Sequence, residues 1–158
     1  MNVEKLSADR LHILTELFQY NNVDEMMENC SRDIKDGAID IFVMYDNGAL
    51  IGELRVKYKS DDENFAVYGR RAYLYAFRVK PCYQGKGYGT ALLNTVLKTL
   101  KEKGYTEATV GVEDDNPRGF YMYQKAGFDK LLLRKSEEYQ GDSYEYNLYL
   151  KNLQGEKP

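Results

Sequence analysis

A glycine-rich stretch at residues 81–90, Pro-Cys-Tyr-Gln-Gly-Lys-Gly-Tyr-Gly-Thr, constrains this chain more than any other part of it. Before it, residues 72–79 (AYLYAFRV) read as a buried strand, which Pro81 ends because proline donates no hydrogen bond to a sheet ladder. After it, Ala91, Leu92, Leu93, Val96, Leu97 and Leu100 recur at helical spacing, so a helix begins near residues 87–90 and runs to a cap at Gly104. A strand that turns through glycines into a helix bares several backbone N–H groups beside the positive end of the helix dipole, which together make an anion site. The spacing is not GxxxxGK[ST], and the dinucleotide pattern GxGxxG starts at Gly85 and Gly87 but ends on Thr90. The turn therefore predicts a bound phosphate group. The alternative is a plain strand–helix turn that uses glycine for its φ freedom alone.

Length and charge narrow the class. The 158 residues suit one domain spanning 1–158, long enough to bury a core without disulfide or metal. Two cysteines, Cys30 and Cys82, and one histidine, His12, have no metal-ligand spacing, so no metal is expected. His12 reads as a surface or packing residue. The start MNVEKLSADR has no apolar signal region, and no run approaches the ~18 apolar residues of a membrane helix, so a soluble cytoplasmic protein is expected. With 22 Lys plus Arg against 25 Asp plus Glu, the net charge of −3 argues against a general nucleic-acid binder. The acidic runs at 61–63, 113–115 and 137–138 are either solvated loops or an attraction for a cationic partner. Fifteen tyrosines without tryptophan, several alternating as in Tyr73/Tyr75 and Tyr144/Tyr146, suit a half-buried sheet.

In chain order, a short edge strand at 2–6 precedes a helix capped by Ser7 or Asp9, with Leu11, Leu14, Leu17 and Phe18 as its apolar set. A second helix covers 23–34. Strands at 40–45 and 49–59 flank Asp46-Asn47-Gly48, a two-residue hairpin signal, and residues 65–68 form a further piece of strand. The strand, glycine turn and helix lead to a strand at 107–112, which makes a right-handed crossover with parallel pairing. Gly111 inside that strand either packs against a neighbour or leaves room for a ligand. Asn116-Pro117 opens another helix, with Gly119, Met122, Tyr123 and Ala126 on one face and Gly127 at its end. Strands at 128–134 and 143–150, joined around Gln140-Gly141-Asp142, close the chain. The fold class is α+β: a mixed, mostly antiparallel sheet with a central parallel β-α-β crossover, flanked by helices.

Two motifs on these elements carry a resemblance. Gln84-Gly85-Lys86-Gly87-Tyr88-Gly89 matches the [QR]-x-x-G-x-[GA] motif of the GCN5-related N-acetyltransferases. Further on, Asn116-Pro-Arg-Gly-Phe-Tyr-Met-Tyr123-Gln-Lys-Ala-Gly127-Phe128 resembles that family's N-x-x-A-x-x-x-Y-x-K-x-G-F segment, with Gly119 in place of the commoner alanine. The resemblance implies acetyl-CoA, or a related acyl-CoA, as donor. It implies that the pyrophosphate lies on the turn formed by Gln84, Gly85, Lys86, Gly87, Gly89 and Thr90. The pantetheine arm would run beside Phe77 and Val79, in a gap between that strand and the strand at 107–112. Lys86 either adds charge to the phosphate or is a solvated lysine. Asn116 and Lys125 match positions near cofactor or substrate, although Asn116 also has a sufficient role as helix cap.

The same resemblance implies an N-acetyltransferase that moves an acetyl group to a primary amine of a small molecule or peptide by direct attack. Tyr123 matches the family's general acid, and a backbone N–H near Val79 would hold the oxyanion. Many members place a carboxylate on the strand before the glycine turn; here that stretch, YLYAFRV, has none, and Glu53 and Glu113 are the candidate bases. Cys82 is not expected to carry an acyl group. The acceptor is expected to be a cationic amine, and its pocket to come from the first two helices, the loop at 61–64 and the late hairpin. A homodimer through the C-terminal strands is a further implication. A non-catalytic acyl-CoA sensor or interaction module on the same fold is the alternative function.

Overall fold

The structure is a computed structural model that describes residues 1–154. Its strands are β1 (Asn2–Lys5), β2 (Ile39–Asp46), β3 (Ala49–Lys57), β4 (Arg71–Val79), β5 (Glu107–Glu113), β6 (Lys130–Tyr139) and β7 (Asp142–Asn152). Its α-helices are α1 (Val23–Lys35), α2 (Tyr88–Glu102) and α3 (Pro117–Lys125), and 3-10 segments cover Ala8–Glu16 and Pro81–Tyr83. The strand order is β1-β2-β3-β4-β5-β7-β6, with β4 and β5 parallel and the β1–β2, β2–β3, β5–β7 and β6–β7 pairs antiparallel. This is the mixed, mostly antiparallel α+β sheet expected. The chain divides into two compact units: Met1–Lys57 with Tyr75–Val96, and Tyr58–Leu74 with the chain from Leu97 onward.

In the first unit, Asn47 (φ 50°) and Gly48 (φ 80°) make the two-residue turn that the Asn-Gly pair predicts. Strand β3 is buried from Leu50 to Val56 on both faces, which is why its sequence alternates imperfectly. Leu6, Leu11, Leu14, Cys30, Ile39, Ile41, Val43 and Leu50 form one core cluster. The segment after β1 departs from expectation: it is 3-10 rather than α. The Ser7 hydroxyl donates to the Asp9 carboxylate instead of accepting from a backbone N–H, and Arg10 leaves helical geometry at φ −117°, ψ 15°. Helix α1 is properly capped, its Asn22 side chain accepting from the Glu25 N–H at 3.0 Å.

In the second unit, residues 65–68 are not a strand. Only Val67 bridges to Arg71, and the chain turns between them through Gly69 at φ 83°. Arg71–Leu74 pair in parallel with Glu107–Val110. The late hairpin is longer than its hydrophobic pattern suggested. Its turn is Gln140 (φ 51°) and Gly141 (φ 89°), and the polar run from Arg134 to Tyr139 is strand through its pairing with Asp142–Asn147 of β7, polar because it is exposed. Gly111 resolves as a packing glycine: a Cβ there would lie 2.9 Å from the ring of Tyr146. Helix α2 ends as predicted, Gly104 (φ 93°) and Tyr105 donating back to Lys101 and Leu100.

Candidate active site

The glycine turn and the end of β4 lie in the first unit. Strand β4 is buried at Ala72 and Leu74 but only half-buried from Tyr75 onward, so the continuous burial expected over 72–79 stops midway. Ala76 sits at φ 50°, a conformation unusual for a residue with a side chain, two positions after the last parallel pair, Leu74 with Val110. The tail of β4 is held by β3. The Lys80 N–H donates to Ile51 at 2.8 Å, and the Arg78 carbonyl comes within 2.9 Å of where a Cβ on Gly52 would be. Phe77 and Val79, expected along the donor's arm, are half-buried on this tail.

The chain then makes one 3-10 turn at Pro81–Tyr83 and enters α2 through two left-handed residues, Gly85 (φ 75°) and Gly87 (φ 89°). A Cβ on either would meet nothing within 4 Å, so the backbone conformation, and not protein packing, requires glycine here. Residues 84–87 are exposed, as is Thr90, and Gly89 is half-buried in the first turn of α2, whose leading N–H groups have no intrahelical partner. The Gln84 side chain turns inward and donates to the Val79 carbonyl at 2.9 Å, tying the turn to the strand it follows. Tyr88 donates to Asp46 at 3.0 Å and stacks edge-on against Tyr83, which fixes where the helix starts.

Beside this tail stands a charged cluster. Glu53 is fully buried, and its two oxygens accept from Arg55 at 3.0 Å and Arg78 at 2.7 Å. Arg55, itself buried, also donates to the Tyr20 hydroxyl at 2.6 Å and to the Cys30 sulfur at 3.5 Å. The Arg78 guanidinium lies 4.0 Å from the centre of the Phe18 ring. Burial pushes the Tyr75, Tyr20 and Cys30 groups up from their ordinary pKa, so all three stay protonated at neutral pH. Glu53 was a candidate base in the sequence; the part played here by Arg55, Arg78 and Tyr20 was missed. A signal was present, because two opposite charges at i and i+2 inside the apolar run ALIGELRVK must share a face and be paired if buried.

The second unit carries the other candidates. The Asn116 side chain accepts from the Gly119 N–H at 2.9 Å and caps α3, with Pro117 in the first turn. A Cβ on Gly119 would fall 2.3 Å from the Asn116 amide, so alanine here would require the Asn116 side chain to shift. Tyr123 is buried, its ring edge-on to Phe128 at 5.7 Å, and burial raises its pKa well above the ordinary tyrosine value. Lys125 is exposed, with its ammonium 5.5 Å from the Tyr121 ring. Glu113 is exposed at the end of β5; partial burial, and then the neighbouring Asp115 charge, raise its pKa above the usual carboxylate range. Asp114 is held low by its hydrogen bond from Arg134. Cys82 is exposed and not in a disulfide, and His12 is exposed. Among the described residues no helix is long and apolar enough to cross a membrane.

Comparison with known proteins agrees with the two motifs. The family model described as acetyltransferase (GNAT) family matches residues 8–128. The [ribosomal protein bS18]-alanine N-acetyltransferase of Haemophilus influenzae is 37% identical over 65 residues, which is 41% of this chain and 44% of that protein, so the match spans less than half of this curated relative. Among solved structures, an acetyltransferase from Salmonella typhimurium with its cofactor acetyl-CoA superposes with a TM-score of 0.74 at 15% identity, covering 100% of this chain and 96% of the other. A mutant of the spermidine N-acetyltransferase SpeG from Vibrio cholerae gives 0.74 at 20% identity, covering 97% and 95%.

Proposed function

The chain belongs to the acetyltransferase (GNAT) family, and we propose that it is an acetyl-CoA-dependent N-acetyltransferase acting by direct transfer to a primary amine of a small molecule or peptide. The observation that carries this reading is the glycine turn. Gly85 and Gly87 hold left-handed conformations that open the first N–H groups of α2 to a ligand, with no protein atom where their side chains would be. A pyrophosphate needs that set of donors. Gly85, Gly87, Gly89 and Thr90 supply backbone for it, Lys86 adds charge, and Gln84 holds the turn in place. Phe77 and Val79 flank the arm of the donor, and the backbone near Val79 receives the oxyanion. Asn116 shapes the start of α3, and Lys125 stands on the same helix.

Direct transfer needs a neutral amine, oxyanion donors and a proton for the departing thiolate. Tyr123 is the proposed acid. An ordinary tyrosine near 10 is a weaker acid than a thiol near 8.5, so full proton transfer would be uphill by about 2 kcal/mol. Burial makes Tyr123 weaker still as an acid. Its hydroxyl therefore acts by donating a hydrogen bond to the developing thiolate, and the proton released by the amine completes the cycle. Of the two carboxylates, Glu53 already has both oxygens committed to guanidinium groups. Glu113, with its raised pKa, is the proposed base, acting through water.

A thiol-release assay over a panel of amines, with calorimetry of CoA binding to wild type and Gly87→Glu, tests the reading. Turnover with at least one amine, and loss of CoA binding in the variant through bulk and negative charge in the turn, are expected. Normal CoA binding by Gly87→Glu would overturn the donor site. Tight CoA binding without turnover on any amine would favour a sensor module on the same fold.

A further inference from the structure

We propose that Arg78, held by the Glu53–Arg55 pair and by Phe18, is an anion subsite that takes the carboxylate of an amino-acid-type acceptor. The proposal rests on the N-acetyltransferase reading above. The cluster joins β3, β4, α1 and the segment before α1 within one unit, and its charges do not balance: two guanidinium groups face one fully buried carboxylate. Asp33, the next acid near the cluster, is 43% exposed and lies 3.9 Å from Arg32. Leaving a positive charge in excess beside a buried pair is costly unless something compensates it.

The two arginines differ in what they do. Arg55 is 9% exposed in its side chain and spends its donors on Glu53, Cys30 and Tyr20. Glu53 and Arg55 therefore already form a complete pair. Arg78 adds a second cation that they do not need. It meets Glu53 through one nitrogen only, its flat face rests on Phe18, and its side chain is 25% exposed. A guanidinium has five N–H donors in a fixed fork. With one edge fastened to Glu53 and the ring of Phe18 beneath it, the fork is pinned before any ligand arrives, the arrangement that favours two-point capture of a carboxylate.

The position fits the chemistry. Arg78 immediately precedes Val79, the residue whose surroundings receive the acyl oxygen in the proposed mechanism, and Val79 is tied to the glycine turn by Gln84. A carboxylate on Arg78 leaves the amine of the same small molecule close to the end of β4, where attack on the donor would occur. A simple amine lacks that anchor. The excess positive charge favours an acceptor that brings a carboxylate with its amine over one that is only cationic.

The test compares L-lysine, L-phenylalanine and L-methionine, each against its descarboxy amine, as acceptors for wild type, Arg78→Gln and Arg78→Lys. Direct binding of the same amines is measured by calorimetry with and without CoA. Wild type is expected to favour the carboxylated partner in kcat/KM by about tenfold or more, the scale of one charge-assisted pair. Arg78→Gln should bring that ratio close to one with little change in the KM for acetyl-CoA, and Arg78→Lys should restore part of it. Equal or better use of the descarboxy amines by wild type, with CoA bound normally, overturns the subsite and leaves the transferase reading standing. Without any CoA binding the transferase reading falls; Arg78-dependent binding of the carboxylated amines would then still support the anion subsite, and its absence would overturn it as well.

Discussion

Replacing Gly52 by alanine tests the close approach on which both halves of the first-unit site depend. Gly52 has an ordinary backbone conformation, so alanine there carries no torsional penalty. By the unfolded-state effect alone, Gly→Ala would stabilise by about 0.4–1 kcal/mol. The added Cβ, however, would stand 2.9 Å from the Arg78 carbonyl, against 3.4 Å or more for ordinary contact, while Val79 and Leu92 lie at comfortable distances of 3.5 and 3.7 Å. The single bad contact is with backbone. That backbone is pinned on one side by the Lys80–Ile51 hydrogen bond and through its own side chain by Glu53. Overpacking of this kind costs about 1–3 kcal/mol, so the net is a loss of about 0–2.6 kcal/mol, centred on about 1–2 kcal/mol. For a chain of this size that lowers Tm by about 2–8 °C. Thermal melting followed by circular dichroism measures it, and acetyl-CoA kinetics on the same sample should show a raised KM as Val79 is pushed aside. A Tm above wild type would refute the close approach, because a gain is the sign of a tolerated Gly→Ala change.

Three further outcomes follow from the same geometry. Tyr123→Phe keeps the ring against Phe128 and removes only a buried hydroxyl, so in the folded variant kcat should fall by about 10²–10⁴ while the KM for acetyl-CoA moves little; an unchanged kcat removes Tyr123 from the proposed mechanism. Glu53→Ala strips the carboxylate from two guanidinium groups, one of them buried, and should cost about 3–5 kcal/mol, with Glu53→Gln less damaging because an acceptor oxygen remains. A loss under about 1 kcal/mol in chemical denaturation, the range of exposed ion pairs, would show that the cluster is not paired as described. As the proposed base Glu113 would work deprotonated, and its pKa is raised, so kcat/KM should fall as pH drops through a limb lying above the ordinary glutamate value of about 4.3. Glu113→Gln should lower kcat/KM and abolish that limb, and its persistence in the variant would assign the base elsewhere.

Much of the fold was legible because the residues concerned act on their own backbone. Asn47-Gly48 supplies two positive φ values, Asn116-Pro117 an acceptor and a fixed φ, and Gly104 a left-handed stop, and each produced the element predicted. The errors fall where local chemistry is silent. Ser7 and Asp9 both suit an N-cap, but they bond to each other, and the segment becomes 3-10. The polar half of β6 carries no hydrophobic signal, since only its pairing with β7 makes it strand. Gly119 stands where alanine is commoner, and only the structure shows the Asn116 side chain folded against it.

The glycine turn and the Asn116–Phe128 segment were determined by the sequence alone, because positive φ, a proline ring and a cap are properties of single residues and their immediate neighbours. They carry the proposed donor chemistry. What only the tertiary structure decided is where charges from distant parts of the chain meet. Glu53 was a possible base while it stood alone in a strand. With Arg55 and Arg78 on its two oxygens and Tyr20 behind Arg55, it is a buried carboxylate paired with two cations. Arg55 shares the strand of Glu53, but Arg78 and Tyr20 come from β4 and the segment before α1, which only the packing of the first unit brings to it.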